Sequence, residues 1–268
     1  MAKGSGFDIR RQWGFTPIAL TCFALLYLPV VLLVIYSFNA GTSIAIWEGF
    51  SLQWYRSAWE NQQVQDATVR SLVLACWAAL ISTGCAVLAA LATTRVRPFR
   101  GYAAVFAAIN QPLMVPEIVT AVALLILFAS VKVWTGYTGL GYLVLAHSAF
   151  CIPFAYLPIR ARLQGMDLNL EQAAADLYAT PFQVFRRITL PQLWPGILAG
   201  AMLAFVISLD DVVITEFVKS AGQDTLPTYM LGQLRRVVTP EVNAISTVLL
   251  AISVTMVIAF FFVSRTKK

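Results

Sequence analysis

The most constraining feature of this sequence is a set of six apolar stretches, each long enough to cross a lipid bilayer. A hydrocarbon core of about 30 Å is spanned by about 20 helical residues. Such stretches lie near residues 15–38, 69–93, 102–131, 138–159, 191–215 and 243–263. Because 59% of the 268 residues are hydrophobic and only 12% are charged, a soluble domain could not hide this apolar surface. The sequence predicts an all-α, polytopic membrane protein: one transmembrane domain, residues 15–263, between short ends at 1–14 and 264–268.

Basic residues are unequally divided between the two sides of this predicted bundle. With a cytoplasmic N-terminus, the inner loops and both ends hold thirteen basic and four acidic residues, a net charge of +9. The rest of the chain carries a net charge of −3. Basic residues resist translocation, so this asymmetry predicts that both termini are cytoplasmic. The overall charge of +6 therefore reports topology and does not indicate a nucleic-acid partner.

Residue types that carry catalysis or bind metals are sparse. Cys22, Cys76, Cys85 and Cys151 lie in apolar stretches without CxxC spacing or histidine partners, which predicts buried free thiols and no metal site. The single histidine, His147, is expected to be a hydrogen-bonded residue of the bundle. HExxH, GxSxG and GxxxxGK[ST] motifs are absent, so we predict no catalytic residues and no ATP site. A secondary transporter is the alternative class, but the inverted repeats typical of such folds are not apparent.

Two loops have helical patterns. In the outer segment 39–68, SLQWYRSAW places Trp54, Tyr55 and Trp59 where an interfacial helix would meet lipid headgroups. The inner loop 160–190 predicts two short helices, one capped by Asn169 with Gln172 and one by Thr180 with Pro181 and Gln183. Pro191 and Pro195 would mark entry into the fifth span. From these residues alone, the inner pair is either an interfacial element or a docking site for a cytoplasmic partner.

A resemblance to permease subunits of ATP-binding cassette importers lies in residues 171–200, EQAAADLYATPFQVFRRITLPQLWPGILAG. The family's signature loop aligns without gaps through Ala173, Ala174, Leu177, Ala179, Phe185, Ile188, Leu190, Pro191, Pro195 and Gly196. The resemblance implies the type I importer permease fold, with a coupling helix in loop 160–190 that sits in a cleft of the ATPase subunit. The residues it assigns to coupling are Glu171, Gln172, Ala173, Ala174, Leu177, Tyr178, Ala179, Phe182 and Phe185.

Two positions depart from the family pattern. The family's glutamate aligns with Gln172, with Glu171 one residue earlier, and the family's glycine aligns with Tyr178. Tyrosine does not adopt at low cost the positive φ that glycine permits, so this departure bears on the helix–turn geometry at Tyr178.

The resemblance also implies the surroundings of the chain. These are the bacterial inner membrane, a second permease subunit that is homologous or identical, a cytoplasmic ATPase dimer and a periplasmic substrate-binding protein. ATP and Mg²⁺ would be bound by the ATPase partner, and this chain would hold no cofactor. Shorter matches in WEGFSLQWYRSAW, PEIV and SLDDVVITEF resemble the spermidine/putrescine branch, which implies a polyamine substrate. Another substrate, such as an amino acid or iron, is the alternative.

Three carboxylates in or near the spans are candidates for a substrate pathway. An aspartate at the centre of a membrane helix costs about 2.5–3.5 kcal/mol, so Glu117, Asp210 and Asp211 need either a role or a wet environment. Counted from Pro191, the aspartate pair would lie near the outer end of its span, where capping a helix break is the alternative. Glu117 would lie deep in the third span, with a buried structural hydrogen bond as its alternative. Aromatic faces for a cation could come from Trp134, Tyr137 and Tyr229.

Overall fold

The computed structural model describes residues 15–43, 46–96, 99–235 and 239–265, without the side chains of residue 15 and residues 259–265. Within these ranges the chain forms twelve α-helices, one π-helical turn and no strand. The helices are α1 Phe15–Tyr36, α2 Gln53–Glu60, α3 Gln62–Thr94, α4 Tyr102–Met114, α5 Glu117–Thr135, α6 Gly141–Gln164, α7 Leu168–Asp176, α8 Pro181–Val184, α9 Leu190–Asp210, α10 Val213–Val218, α11 Leu226–Leu234 and α12 Pro240–Arg265; the π-helical turn is Phe185–Thr189.

Six helical segments of the described chain are long and apolar enough to cross a membrane, which confirms the predicted number. They are Thr16–Tyr36, Gln62–Thr94, Glu117–Thr135, Gly141–Gln164, Pro181–Asp210 and Pro240–Ile258. Several of the charged residues used to orient the bundle, including Lys3, Arg10, Arg11, Arg97, Lys267 and Lys268, lie outside the described residues. The cytoplasmic position of the termini stays a prediction.

The third predicted span is broken, contrary to expectation. Residues 102–131 were expected to be one helix, but α4 ends at Met114 and α5 begins at Glu117. Pro116 has no N–H to donate and pushes the preceding Val115 out of the helical region, to φ −95° and ψ 136°. Glu117 therefore lies in the first turn of a new helix and not fifteen residues inside a long one.

The start of the fifth span also differs from expectation. The second predicted loop helix is the beginning of this span, because α8, the π-helical turn and α9 form one 30-residue helix, Pro181–Asp210. Pro191 and Pro195 do not start it. The Leu190 N–H bonds to the Phe185 carbonyl five residues earlier, which gives this helix its wide turn just before Pro191.

The chain is made of two compact units. In the unit formed by the described residues up to Asn61 and those of 233–252, the buried Asn39 organises the segment before α2. Its Nδ2 donates to the carbonyls of Ser43 (2.9 Å) and Ile46 (2.7 Å), and its Oδ1 accepts from the N–H groups of Gly41 (3.3 Å) and Glu48 (2.9 Å). All four hydrogen-bonding positions of this buried amide are thereby used.

The predicted outer helix is present as α2, which follows that segment. Trp54 Nε1 donates to the Gly41 carbonyl at 3.2 Å, and Tyr55 shares a hydrogen bond of 2.7 Å with Ser37. Trp59 is exposed. Trp54 and Tyr55 are therefore held by hydrogen bonds to the preceding segment, and Trp59 is the most exposed of the three aromatic residues.

The second unit, residues 62–232 with those from Ser253 onward, has its core where α3, α6 and α9 pack together. Leu74, Leu143, Tyr156 and Leu193 are fully buried there. The helices approach closely because glycines face α6: a Cβ on Gly200 would lie 2.7 Å from the Ala155 carbonyl oxygen, and one on Gly196 would lie 2.7 Å from Arg162 Cβ. Small residues at such crossings are typical of membrane bundles.

The expectation of four buried thiols is wrong for three of them. All four cysteines are free, but Cys22, Cys76 and Cys85 are exposed and only Cys151 is buried. The exposed three lie on outward faces of α1 and α3, where an apolar residue in a spanning helix is normal. Cys151 donates a weak hydrogen bond to the Ala204 carbonyl at 3.5 Å.

Candidate functional site

The loop between the fourth and fifth spans is built from two capped helix ends. Helix α7 is capped by Asp167, whose carboxylate accepts from the Asn169 N–H at 2.9 Å, so the predicted cap at Asn169 is wrong. The cap at Thr180 is as predicted: Thr180 Oγ1 accepts from the Gln183 N–H at 3.4 Å, and Gln183 Oε1 accepts from the Thr180 N–H at 2.8 Å. Short-range capping therefore holds both sides of the loop.

The end of α7 has the geometry in which glycine is usually found. Tyr178 has a φ of 61° and is the only non-glycine residue with positive φ in the described chain. The Ala179 N–H bonds to the Ala174 carbonyl (3.1 Å) and the Tyr178 N–H to the Ala175 carbonyl (2.9 Å), which together form a Schellman motif. The departure from glycine thus leaves the turn intact, because Tyr178 takes the strained conformation.

An exposed apolar surface results from this turn. Leu177, Tyr178 and Phe182 are 82%, 95% and 69% exposed. Gln172 and Ala173 are also exposed, whereas Ala174, Ala179 and Phe185 are half-buried. Five of the nine predicted coupling residues are therefore exposed, and we call the three large apolar ones, Leu177, Tyr178 and Phe182, the loop surface.

Glu171 is half-buried, and its carboxylate points back into the chain. Arg95, which follows α3, donates to it from Nε (3.1 Å to Oε2) and from Nη2 (3.2 Å to Oε1). The Thr189 hydroxyl donates to Glu171 Oε1 at 3.0 Å. The glutamate therefore joins α7 to the end of α3 and to the π-helical turn.

The aspartate pair marks a second helix break. Asp211 is extended, with ψ 132°, and ends α9 before a run of β-branched residues. Its buried carboxylate accepts from the N–H groups of Ile214 (3.2 Å) and Thr215 (2.9 Å), which caps the start of α10. Asp211 therefore has the helix-capping role that the sequence left open as an alternative. Asp210, in contrast, is exposed.

His147 is bound into this break, as expected of a hydrogen-bonded bundle residue. The Thr215 hydroxyl donates to Asp211 Oδ2 at 2.9 Å, so His147 Nε2 is the donor in its 3.0 Å bond to Thr215 Oγ1. Nδ1 bonds to Ser208 Oγ at 2.8 Å, and Nε2 lies 3.4 Å from Asp211 Oδ2. The histidine links α6 to both sides of the break.

The helix break between α4 and α5 lies beside the break between α9 and α10. Helix α5 packs on α10, and the side chain of Glu117 contacts the Asp211 carboxyl group. Further along, Lys132 Nζ donates to Ser220 Oγ at 2.7 Å, about 22 Å along α5 from Glu117. Asp211 thus lies beside the start of α5.

The predicted aromatic residues lie elsewhere. Trp134 is exposed and follows Glu117 by seventeen residues of α5, or about 26 Å. Tyr137 packs edge-on to Tyr142, with ring centroids 5.3 Å apart, and Tyr229 is half-buried on α11. A small molecule in contact with Glu117 does not reach Trp134, so the carboxylates and this aromatic residue are at most successive points on one route.

Two short helices after the fifth span were not predicted. The segment that carries α10 and α11 is fixed by Arg70 Nη1 donating to the Asp224 carbonyl (2.6 Å) and by the Leu226 N–H donating to Ser71 Oγ (2.7 Å). Lys219 lies between Glu216 (2.5 Å) and Asp224 (2.7 Å). Burial lowers the pKa of Lys219, but its hydrogen bonds to Asp224 and Glu216 outweigh this and raise the pKa above its ordinary value. The sequence TLPT at 225–228, with a proline in the first turn, is a signal for α11.

Six helical segments long enough to span a membrane, helix breaks beside carboxylates, and one structured, exposed loop define a membrane transport subunit. The sequence model of the family described as "Binding-protein-dependent transport system inner membrane component" matches residues 82–267. The chain belongs to this family and is a multi-pass protein of the bacterial inner membrane. This membership decides against the secondary-transporter alternative.

The chain is also similar in sequence to individual transport permeases. The chain is 37% identical to "Putrescine transport system permease protein PotI" of Escherichia coli K12 over 97% of this chain and 94% of that one. It is 36% identical to "Spermidine/putrescine transport system permease protein PotC" of the same strain over 91% of each chain. The predicted resemblance to importer permeases of the polyamine branch is therefore confirmed.

Solved structures show the same fold. A chain of a bacterial ABC transporter that imports the polysaccharide alginate matches with a TM-score of 0.76 at 17% identity, over 97% of this chain and 98% of that one. A chain of the methionine ABC transporter MetNI matches with a TM-score of 0.61 at 17% identity, over 79% and 94%. The importer permease fold is thus confirmed.

Proposed function

We propose that this chain is a permease subunit of an ATP-driven importer, and that it translocates putrescine or spermidine delivered by a periplasmic binding protein. The observation that carries the substrate is the identity of 36–37% to PotC and PotI over more than nine-tenths of the chain. ATP and Mg²⁺ are bound and ATP is hydrolysed by a separate cytoplasmic ATPase dimer. The chain contributes the membrane route and the docking loop.

The loop surface is the proposed seat of the ATPase subunit. Leu177, Tyr178 and Phe182 expose large apolar side chains on a loop that two caps and a Schellman motif hold in one conformation. Large apolar side chains on a rigid support are typical anchors of protein interfaces. The positive-inside rule predicts that this loop is cytoplasmic, on the side where an ATPase is available.

The acids beside the two helix breaks are the proposed cation route. Asp211 is occupied as a cap, so Asp210, with its exposed carboxylate, and Glu117, at the start of α5, remain to attract the ammonium groups of a polyamine. Tyr137 and Tyr229 lie farther along and would offer aromatic faces to the same cation. A second permease subunit, a homologue or a copy of this chain, would form the other half of the route.

Uptake by the complete complex in proteoliposomes tests this function. We expect ATP-dependent uptake of labelled putrescine or spermidine in the presence of the binding protein, and co-purification of the ATPase subunit with the chain. D210N and E117Q should lower polyamine uptake with normal insertion, whereas E60Q, which removes an exposed acid of α2, should not. Uptake of an amino acid or iron in place of polyamines would refute the substrate, and absence of an ATPase partner would refute the class.

A further inference from the structure

Helix α7 is held by polar contacts and not by burial. None of its nine residues is buried, so apolar packing fixes its position only weakly. What connects it to the membrane helices is the carboxylate of Glu171, which contacts Arg95 at the end of α3 and Thr189 in the π-helical turn. These three residues form the tether cluster.

The hydrogen bonds of the tether cluster fix the orientation of the Glu171 carboxylate. The planar guanidinium of Arg95 contacts both carboxylate oxygens, at 3.1 Å and 3.2 Å, and this fixes orientation as well as distance. The side chains of Arg95 and Glu171 are 19% and 18% exposed, so the pair is screened less than a surface ion pair. Thr189 adds a third bond at 3.0 Å from a different element.

The position of Thr189 gives the cluster a link to the fifth span. Thr189 is the last residue of the π-helical turn and is itself buried. Such turns are rare and occur often at functional sites. If the turn relaxed to α-helical geometry, the residues on one side of it would rotate about the helix axis relative to those on the other. The Thr189 hydroxyl would then leave Glu171, so the bond and the wide turn depend on each other.

We propose that Arg95, Glu171 and Thr189 are positioning residues that fix the orientation of α7 relative to the second and fifth spans, and so set how much transport follows from each ATP hydrolysed. This rests on the proposed function, in which α7 carries the ATPase docking surface. Movement of α7 by the ATPase reaches α3 through Arg95 and the fifth span through Thr189. Without the cluster, α7 stays attached by the chain but moves independently of both spans.

The first measurement is the number of polyamine molecules transported per ATP in the reconstituted complex. E171Q and R95K should lower this ratio about threefold or more, because each loses the charged fork geometry, while the ATPase subunit still co-purifies. T189V should lower it and T189S should not, since serine keeps the hydroxyl. The exchanged pair R95E with E171R should recover part of the ratio. R100Q, which removes an exposed basic residue from the same connection, is the control and should leave the ratio unchanged.

A second measurement does not depend on transport. Amide hydrogen exchange over residues 168–176 should be about tenfold faster in E171Q than in the unaltered chain, the change expected for loss of a charge-assisted hydrogen bond. Unchanged exchange would overturn the cluster even if the complex proved to carry another substrate or no substrate. A fall in uptake and ATPase association together, with the transport ratio unchanged, would also overturn it, because the residues would then serve folding alone.

Discussion

Replacement of Tyr178 by glycine should stabilise the loop and weaken docking at the same time. A left-handed conformation costs an L-residue about 1–2 kcal/mol, and Tyr178, at φ 61°, is in that region. Glycine removes this cost but loses about 0.4–1 kcal/mol through its more flexible unfolded state. The net expectation for Y178G is that the turn after α7 is stabilised by roughly 1 kcal/mol, which lowers the population of its open form about fivefold.

Hydrogen exchange and co-purification separate the two effects. The amides of Tyr178 and Ala179, which close the Schellman motif at 2.9 Å and 3.1 Å, should exchange about fivefold more slowly in Y178G. Association with the ATPase subunit should weaken, because the ring, 95% exposed, is lost from the loop surface. Y178F keeps both the strain and the ring, so it should match the unaltered chain in both assays.

Two results for Y178G would contradict this prediction. If Y178G exchanged faster than the unaltered chain, the tyrosine would not be strained, and the turn would depend on contacts of its ring. If Y178G slowed exchange but left ATPase association unchanged, the strain would be real and the ring would have no part in docking. Y178A, which keeps the strain and removes the ring, should then distinguish a ring effect from a backbone effect.

Three further predictions concern stability of the purified protein, followed by thermal unfolding in detergent. G200A should destabilise the protein by about 1–3 kcal/mol, because the new Cβ would lie 2.7 Å from the Ala155 carbonyl oxygen. G84A, whose Cβ would have no atom within 4 Å, is the control and should not destabilise it. Equal unfolding midpoints for the two variants would refute the close approach of α6 and α9. D211A should cost about 2 kcal/mol through loss of the α10 cap, and D210A much less; equal losses would refute the capping assignment. The folded pKa of Lys219 is raised above 10.5, so the stability that its charge gives the folded protein should be complete below that pH and be lost as pH rises through the raised value. The difference in unfolding midpoint between the unaltered chain and K219M should therefore be constant between about pH 7 and 9 and shrink above pH 10.5. A decline in this difference already below pH 9 would contradict the prediction.

Features set by local chemistry were predictable from sequence. Hydropathy gave the number of spans, because a bilayer fixes the length of each helix. The box of Thr180 and Gln183 was predictable because a cap needs only residues three apart. The cap of α7 was missed by two residues, since both Asp167 and Asn169 are suitable and only the start of the helix decides between them.

One local feature, the helix break at Pro116, was missed, and features set by tertiary contact were not predictable. Hydropathy does not register a helix break, so α4 and α5 were merged, although Pro116 was visible in the sequence. Burial of Cys76 and Cys85 depended on which face of α3 meets its neighbours, and an apolar helix without a polar face does not indicate this. The bond from Arg95 to Glu171 joins residues 76 positions apart, and no sequence period connects them.

The helix breaks also explain why acids occur in these spans. A break leaves N–H groups without partners, and Asp211 satisfies two of them at the start of α10. Glu117, in the first turn of α5, is favourably placed at the positive end of that helix. Asp210 has neither role, because it is exposed and caps no helix in the described part of the chain. The cost of a carboxylate in the span is thus least offset at Asp210, and the cation-route hypothesis depends most on this residue.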